Sequence, residues 1–282
     1  EFNSVTRALT SSYDYSDHGA QFQSCVSLTN VTMKNMTYVQ IEMFKNCKNL
    51  VYVDLPCLSS ISSQGFYLCH SLNNLTFPKL NTIGEKAFQE VAGITEVNLP
   101  SVTTIQKYAF DSCPNLVSFS SESCTYIQDY GFDNCGKLER IYFPNLREIG
   151  GRTFSFTKLS SIELNSLVFA GTVSYSYADH GAQFYDCRFL TSVTMKNMPY
   201  VQIEMFYGCG QLDFVDMPAL ETINLNGFRG CNSLSNLTLP RINTIGESAF
   251  RGNAGLSEVD LPSLTKISTR AFCECPNLIS FT

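Results

Sequence analysis

Apolar and polar residues follow one frame along this chain, and a phenylalanine marks each return of the frame at an interval of 22 residues. Phe22, Phe44, Phe66, Phe88, Phe110, Phe132 and Phe154 form one run. After a single step of 30 residues the frame resumes at Phe184, Phe206, Phe228, Phe250 and Phe272. Counted from each Phe as position 0, position +6 is Leu or Ile in eleven repeats out of twelve. Positions +9 and +11 are mostly apolar, as in Val53 and Leu55, Val97 and Leu99, or Val259 and Leu261. Pro follows at +12 in Pro56, Pro78, Pro100, Pro144, Pro218, Pro240 and Pro262. Aliphatic residues fall again near +14 and +17, such as Leu80 and Ile83, and a small residue commonly precedes the next Phe (Ala87, Ala109, Gly131, Ala249).

Alternation across +9 and +11 predicts a short strand that sends those side chains inward and leaves +8 and +10 facing out. Pro at +12 has no donor, so it stops the ladder at the same point in each repeat. The small residue before Phe predicts a tight turn with crowded backbone. A fixed period of this length predicts a solenoid, because one coil cannot bury its apolar face without neighbours. The expected architecture is about twelve stacked 22-residue coils with short parallel strands and little helix, forming one domain over residues 1–282. Two coils break the frame locally: Leu159, Ile162 and Leu164 come one residue early with no Pro, and Ser121 and Glu122 stand where an aliphatic and Pro are expected.

The +6, +9, +11 spacing is L-x-x-L-x-L, the strand segment of a leucine-rich repeat. Cys69-His70-Ser71-Leu72, Leu75-Thr76-Phe77-Pro78-Lys79-Leu80 and Thr82-Ile83-Gly84-Glu85-Lys86-Ala87-Phe88 resemble BspA-like leucine-rich repeats. Leu237-Thr238-Leu239-Pro240, Thr244-Ile245-Gly246 and Ala249-Phe250 carry the same signature, and the resemblance covers essentially residues 12 to 282. It implies a secreted or surface-displayed protein of a host-associated microbe, often an adhesin. The spacing itself shows no adhesion.

Six steps of 22 and one of 30 make 162, and the chain repeats again at that offset: residues 12–56 match residues 174–218 at 30 of 45 positions. The frame alone does not demand the shared Lys34/Lys196, Gln40/Gln202 or Glu42/Glu204. Two duplicated blocks are expected, 1–162 and an incomplete 163–282. Each opens with an extended step carrying Tyr13, Tyr15, Asp17 and His18, or Tyr175, Tyr177, Asp179 and His180. The step reads as an ordered structural loop or a binding loop. One His and one Asp per copy are too few for a closed zinc site. Glu1 to Tyr13 aligns with Glu163 to Tyr175, and Thr282 falls within a strand, so the chain is expected to be a segment of a longer protein.

Composition narrows the function classes. The 19 basic and 25 acidic residues give a net charge of −6 with no basic stripe, which argues against nucleic acid. Charged residues are 16%, below the roughly 25% usual for a domain, with Ser, Thr and Asn on the outer positions, as suits an extracellular protein. No apolar run of transmembrane length occurs. Of the 12 cysteines, nine sit at +3 (Cys25, Cys47, Cys69, Cys113, Cys135, Cys187, Cys209, Cys231 and Cys275), where stacked buried thiols serve as small apolar residues. An occasional disulfide between adjacent coils is compatible with that spacing. Cys57, Cys124 and Cys273 fall outside the ladder and are the expected reactive thiols.

No phosphate-binding glycine loop, nucleophile elbow, zinc or calcium motif occurs, so neither catalysis nor a cofactor or metal is expected. The outward ladder is the candidate site. Its aromatics, Tyr52, Tyr142 and Phe214, stand among hydroxyl and amide side chains, and its charged or amide neighbours include Asp54, Asn98, Arg140 and Asp216. Exposed aromatics are enriched at binding hot spots. Asp54, Glu96, Glu163, Asp216, Glu258 and Asp260 against Arg140 favour a partner with basic character. Ordinary strand propensity also explains the aromatics. N-glycosylation sequons lie at Asn30, Asn35, Asn74 and Asn236, three of them on this face. The expected function is a secreted or cell-surface interaction module that adheres to host or neighbouring-cell proteins or glycoproteins. The alternative is a structural surface coat or antigenic spacer with no defined ligand.

Overall fold

The structure is a computed structural model and describes residues 11–13, 16–175 and 178–282. The chain divides into two compact units, 1–143 and 144–282, each a β-solenoid of 22-residue coils with parallel strands. Among the described residues there is no helix, and hence none long and apolar enough to cross a membrane.

A complete coil has three hydrogen-bonded sides. The first is the three-residue strand at +8 to +10. In the first unit Asn30–Thr32 pairs with Tyr52–Asp54, and Glu96–Asn98, Ser118–Ser120 and Arg140–Tyr142 pair in order, always one coil apart in register. The second unit pairs Ser161–Glu163, Ser192–Thr194 and Phe214–Asp216, and separately Asn236–Thr238, Glu258–Asp260 and Ser280–Phe281. The early apolar positions of the coil at Phe154 therefore still deliver a strand in register, with Leu159, Ile162 and Leu164 buried.

One expected strand is missing. Residues 72–77 form none, so the three-residue ladder of the first unit stops at Tyr52–Asp54 and resumes at Glu96–Asn98. Nothing in the local sequence marks this break, since the same triplet Asn-Leu-Thr forms the strand Asn236–Thr238.

The second side was not anticipated as a strand. Residues +16 and +17 form two-residue parallel strands: Tyr38–Val39, Ser60–Ile61, Thr82–Ile83, Thr104–Ile105 and Tyr126–Ile127 in the first unit. Tyr200–Val201, Thr222–Ile223, Thr244–Ile245 and Lys266–Ile267 repeat it in the second. A recurring Thr-Ile pair was the available signal.

The third side is the Phe turn. The N–H groups of Lys86, Phe88 and Glu90 donate to the carbonyls of Lys107, Ala109 and Asp111 at 3.0, 2.8 and 3.0 Å. Lys86 and Glu90 have φ of 56° and 59°, and from Phe44 onward the residues two before and two after each frame Phe repeat this along both units. Most of them are not glycine, which costs roughly 1–2 kcal/mol per residue. The coil-to-coil hydrogen bonds offset that cost. The left-handed positions are thus −2 and +2, not the small residue at −1. Smallness at −1 answers to packing: a Cβ on Gly65 would lie 2.6 Å from Ile61 Cγ2.

The phenylalanine rings stack face to face inside the coils, for example Phe44 on Phe66 at 5.2 Å and Phe88 on Phe110 at 5.2 Å. Phe154 stacks on Phe184 at 5.6 Å, so the longer step leaves the stack intact. The extra residues of that step form an antiparallel hairpin, Val173–Tyr175 with Ala178–His180. Ser11–Tyr13 and Ser16–His18 pair the same way. Tyr15 and Tyr177, and the expected match of residues 1–10, lie outside the described residues. The irregular Ser121 is buried and donates its hydroxyl to the carbonyls of Leu99 and Val102 at 2.8 and 3.0 Å, which satisfies its one polar group.

Candidate partner-binding face

Positions +8 and +10 face outward from the strand side while the residue between them turns in, as alternation predicts. The aromatics on this side are exposed: Tyr52 retains 42% of its surface, Tyr142 57% and, in the second unit, Phe214 54%. By contrast the frame phenylalanines from Phe44 to Phe250 are buried. Within the first unit the side carries Tyr52, Asp54, Asn98, Arg140 and Tyr142 together. Phe214 and Asp216 stand on the strand side of the second unit.

The charges of the first unit are partly paired. Asp54 Oδ2 lies 3.8 Å from Lys34 Nζ. Arg140 reaches back two coils to Glu96, 3.8 Å away, and sideways to Glu139 at 3.7 Å. Exposed pairs of this kind contribute about 0–1 kcal/mol each. Their effect here is that two carboxylates flank the face's one arginine.

Between Tyr52 and Tyr142 lies a cleft of about 580 Å³. Its exposed lining is polar, with Asn74, Thr76, Glu96, Asn98, Ser118 and Ser120, over the nearly buried Leu75, Phe77 and Val97 and with Pro78 and Pro100 along one margin. Ser120 Oγ donates to Asn98 Oδ1 at 3.0 Å, and Thr76 Oγ1 to Asn74 Oδ1 at 2.7 Å. The cleft adjoins the segment 72–77 that forms no strand, a feature sequence reasoning missed. Of the sequon asparagines, Asn30, Asn35 and Asn236 are exposed, whereas Asn74 is half-buried in the cleft.

The residues shared by the duplicated blocks mostly hold the extra step in place. Tyr200 and Gln202 reach back across it: Ala170 N–H donates to the Tyr200 hydroxyl at 3.0 Å, and Gln202 Nε2 donates to the Ala170 carbonyl at 3.1 Å. His180 Nδ1 lies 2.6 Å from Glu204 Oε2. Gly181 packs so closely on Gln202 that an added Cβ would collide with its side chain, as one on Gly19 would with Gln40. These contacts give Gln40/Gln202 and Glu204 a structural explanation, while Glu42 accepts from Lys45 Nζ at 2.7 Å. Among the described residues, no group of three or more His, Cys, Asp or Glu gathers as metal ligands would.

The thiol ladder has a donor role beyond packing. Cys47, Cys69, Cys113 and Cys135 each donate to the carbonyl of the Phe 25 residues earlier, at 2.9–3.2 Å. Cys209 and Cys231 do the same in the second unit at 3.2 Å. Burial pushes the Cys47 thiol up to about 11. Cys124, expected to be reactive, is also buried, and burial pushes its thiol up to about 12, so it belongs with the inert ones. Cys57 is half-exposed and Cys273 exposed.

With this architecture in view, comparison with known proteins is specific. The BspA-type leucine-rich repeat region matches residues 19–121, 59–179 and 180–282 in six copies. The chain belongs to this family, a repeat scaffold of the protein-interaction type with no catalytic family indicated. No curated protein sequence matches it. A crystal structure of a leucine-rich repeat protein from Bacteroides ovatus is similar, at 26% identity and TM-score 0.57, over 92% of this chain and 79% of that one. A leucine-rich cell surface protein from Faecalibacterium prausnitzii is more distant, at 20% identity and TM-score 0.41, over 90% and 78%. A leucine-rich repeat protein from Eubacterium ventriosum matches at 18% and TM-score 0.41, over 89% and 81%.

Proposed function

We propose that this protein is a secreted or cell-surface adhesion module that binds host or neighbouring-cell proteins or glycoproteins through the strand side of its coils. One observation carries the reading. Tyr52 and Tyr142 are exposed at outward positions on the strand side of the first unit and Phe214 on that of the second, while the frame phenylalanines from Phe44 to Phe250 are buried. A large rigid ring held in water on an otherwise hydroxylated surface is the residue type that contributes most per contact when a partner covers it. Family membership supports an interaction role, and a low charge content with outer Ser, Thr and Asn supports an extracellular setting.

The test is binding of the purified chain to immobilised matrix proteins and mucins, beside a variant carrying Tyr52→Ala, Tyr142→Ala and Phe214→Ala. Saturable binding that falls at least tenfold in the variant supports adhesion through the strand side. Absence of saturable binding to every protein on the panel, or binding that the variant retains in full, removes this reading and favours a spacer.

A further inference from the structure

The strand side of the first unit has a layout that narrows its partner. A protein hot spot puts apolar side chains at a desolvated centre and polar ones around the rim. Here the order is reversed. The exposed centre is polar, with Asn74, Thr76, Glu96, Asn98, Ser118 and Ser120 over the nearly buried Leu75, Phe77 and Val97, and the exposed Tyr52 and Tyr142 stand on the next coil to either side. Four coil steps separate the strands that carry these tyrosines, a span of roughly 19 Å at strand spacing.

We propose that this trough binds a neutral oligosaccharide, the recognised part of a glycoprotein partner. The inference rests on the reading that the strand side is the adhesive one. A sugar ring presents hydroxyls that both donate and accept, and patches of C–H that lie against aromatic faces. Amide and hydroxyl side chains likewise both donate and accept, so a floor of Asn, Ser and Thr satisfies hydroxyls in either sense. Exposed tyrosine rings offer the C–H patches a partner, through weak C–H contacts and area burial. A span of this length holds several sugar units rather than one.

Order and charge complete the case. Asn98 accepts from Ser120 and Asn74 accepts from Thr76, each through the amide oxygen, so the floor is arranged before a ligand arrives and less entropy is lost on binding. Both pairs leave the amide nitrogen to donate. Glu96 lines the trough, and the nearby bases already lie against carboxylates, Arg140 between Glu96 and Glu139 and Lys34 beside Asp54. A sialylated or sulfated glycan therefore meets carboxylates, whereas a neutral one meets no like charge.

The experiment uses bacterially produced protein, which carries no N-glycan at Asn74, on an array of neutral, sialylated and sulfated oligosaccharides. Titration of the bound neutral tetrasaccharides follows at low and high salt. Expected are saturable binding to neutral members, little change with salt, and at least a tenfold loss in Tyr52→Ala/Asn98→Ala and in Tyr142→Ala, each with an unchanged melting temperature. Leu225→Ala, at an exposed side chain off the strand side, serves as the control and retains binding. Preference for acidic glycans, binding that the trough variants keep, or no neutral glycan bound overturns the proposal. Matrix glycoproteins stripped of glycans separate the two readings: if they still bind with loss in the Tyr52, Tyr142 and Phe214 variant, adhesion stands and the glycan assignment fails. If intact and stripped glycoproteins both fail to bind, adhesion fails too.

Discussion

Cys69 donates its thiol to the backbone carbonyl of Phe44, one coil back, at 3.0 Å. The same bond recurs down the ladder and explains why position +3 favours Cys over an aliphatic of similar size. A thiol packs as an apolar group and still supplies a weak donor to a carbonyl that the turn leaves inside.

Asn253 occupies that position in the coil of Phe250, and it is an exception. Its side chain is fully buried, and neither its amide nitrogen nor its oxygen has a hydrogen-bond partner. A buried unsatisfied polar group costs about 1–3 kcal/mol. Asn253→Cys is therefore expected to stabilise the protein by about 1–3 kcal/mol, read as a higher urea midpoint at unchanged slope. A midpoint at or below that of the parent would show that the amide is satisfied after all.

Thiol reactivity should sort by burial. Alkylation requires thiolate, and burial disfavours the charged form in Cys47, Cys69, Cys124 and Cys231. Iodoacetamide at mildly alkaline pH is expected to modify Cys25, Cys57 and Cys273 in the folded protein, and the buried four only after denaturation. Peptide mass spectrometry reads the sites. Rapid labelling of Cys124 would mean that its coil opens on the experimental timescale.

Asp111 gives a pH dependence of known sign. Burial pushes its carboxyl above the ordinary 3.8, against hydrogen bonds from Gln89 and Ser112 that act the other way. Glu90 stands nearby and adds to the rise. The folded state then holds the proton more tightly than the unfolded one, so this residue's contribution to stability falls as pH rises from 3.8 through the folded value. Asp111→Asn keeps the acceptor for Gln89 Nε2, which lies 2.7 Å from the carboxylate, and removes the charge. Its stability relative to the parent is expected to climb between acid and neutral pH in parallel urea titrations. A flat or falling difference would place the charge in a well-solvated setting.

Much of the fold was legible because each coil repeats the same burial problem. The inward set at +6, +9, +11, +14 and +17, the Phe stack and the strand at +8 to +10 all follow from apolar side chains at fixed spacing. The candidate face was legible for the same reason, since Tyr52, Tyr142 and Phe214 fall at positions that alternation turns outward. The two-residue strands at +16 and +17 showed only as a recurring Thr-Ile pair, because two residues are too few to carry an alternation. The hairpin before His180 was readable only as extra length, and its anchors, Gln202 and Glu204, showed merely as unexplained identities between blocks.

By itself the sequence determined the coil length, the inward residues and the outward ladder, because burial acts on side chains whose spacing is printed in the chain. The tertiary structure alone decided where ladders pair. It broke the strand at residues 72–77 although Asn236–Thr238, the same triplet, is a strand, and it placed left-handed turns on residues such as Lys86 and Glu90. It also turned Cys124 inward. Each of these depends on hydrogen bonds and packing between neighbouring coils, and no single coil's residues specify its neighbour's register.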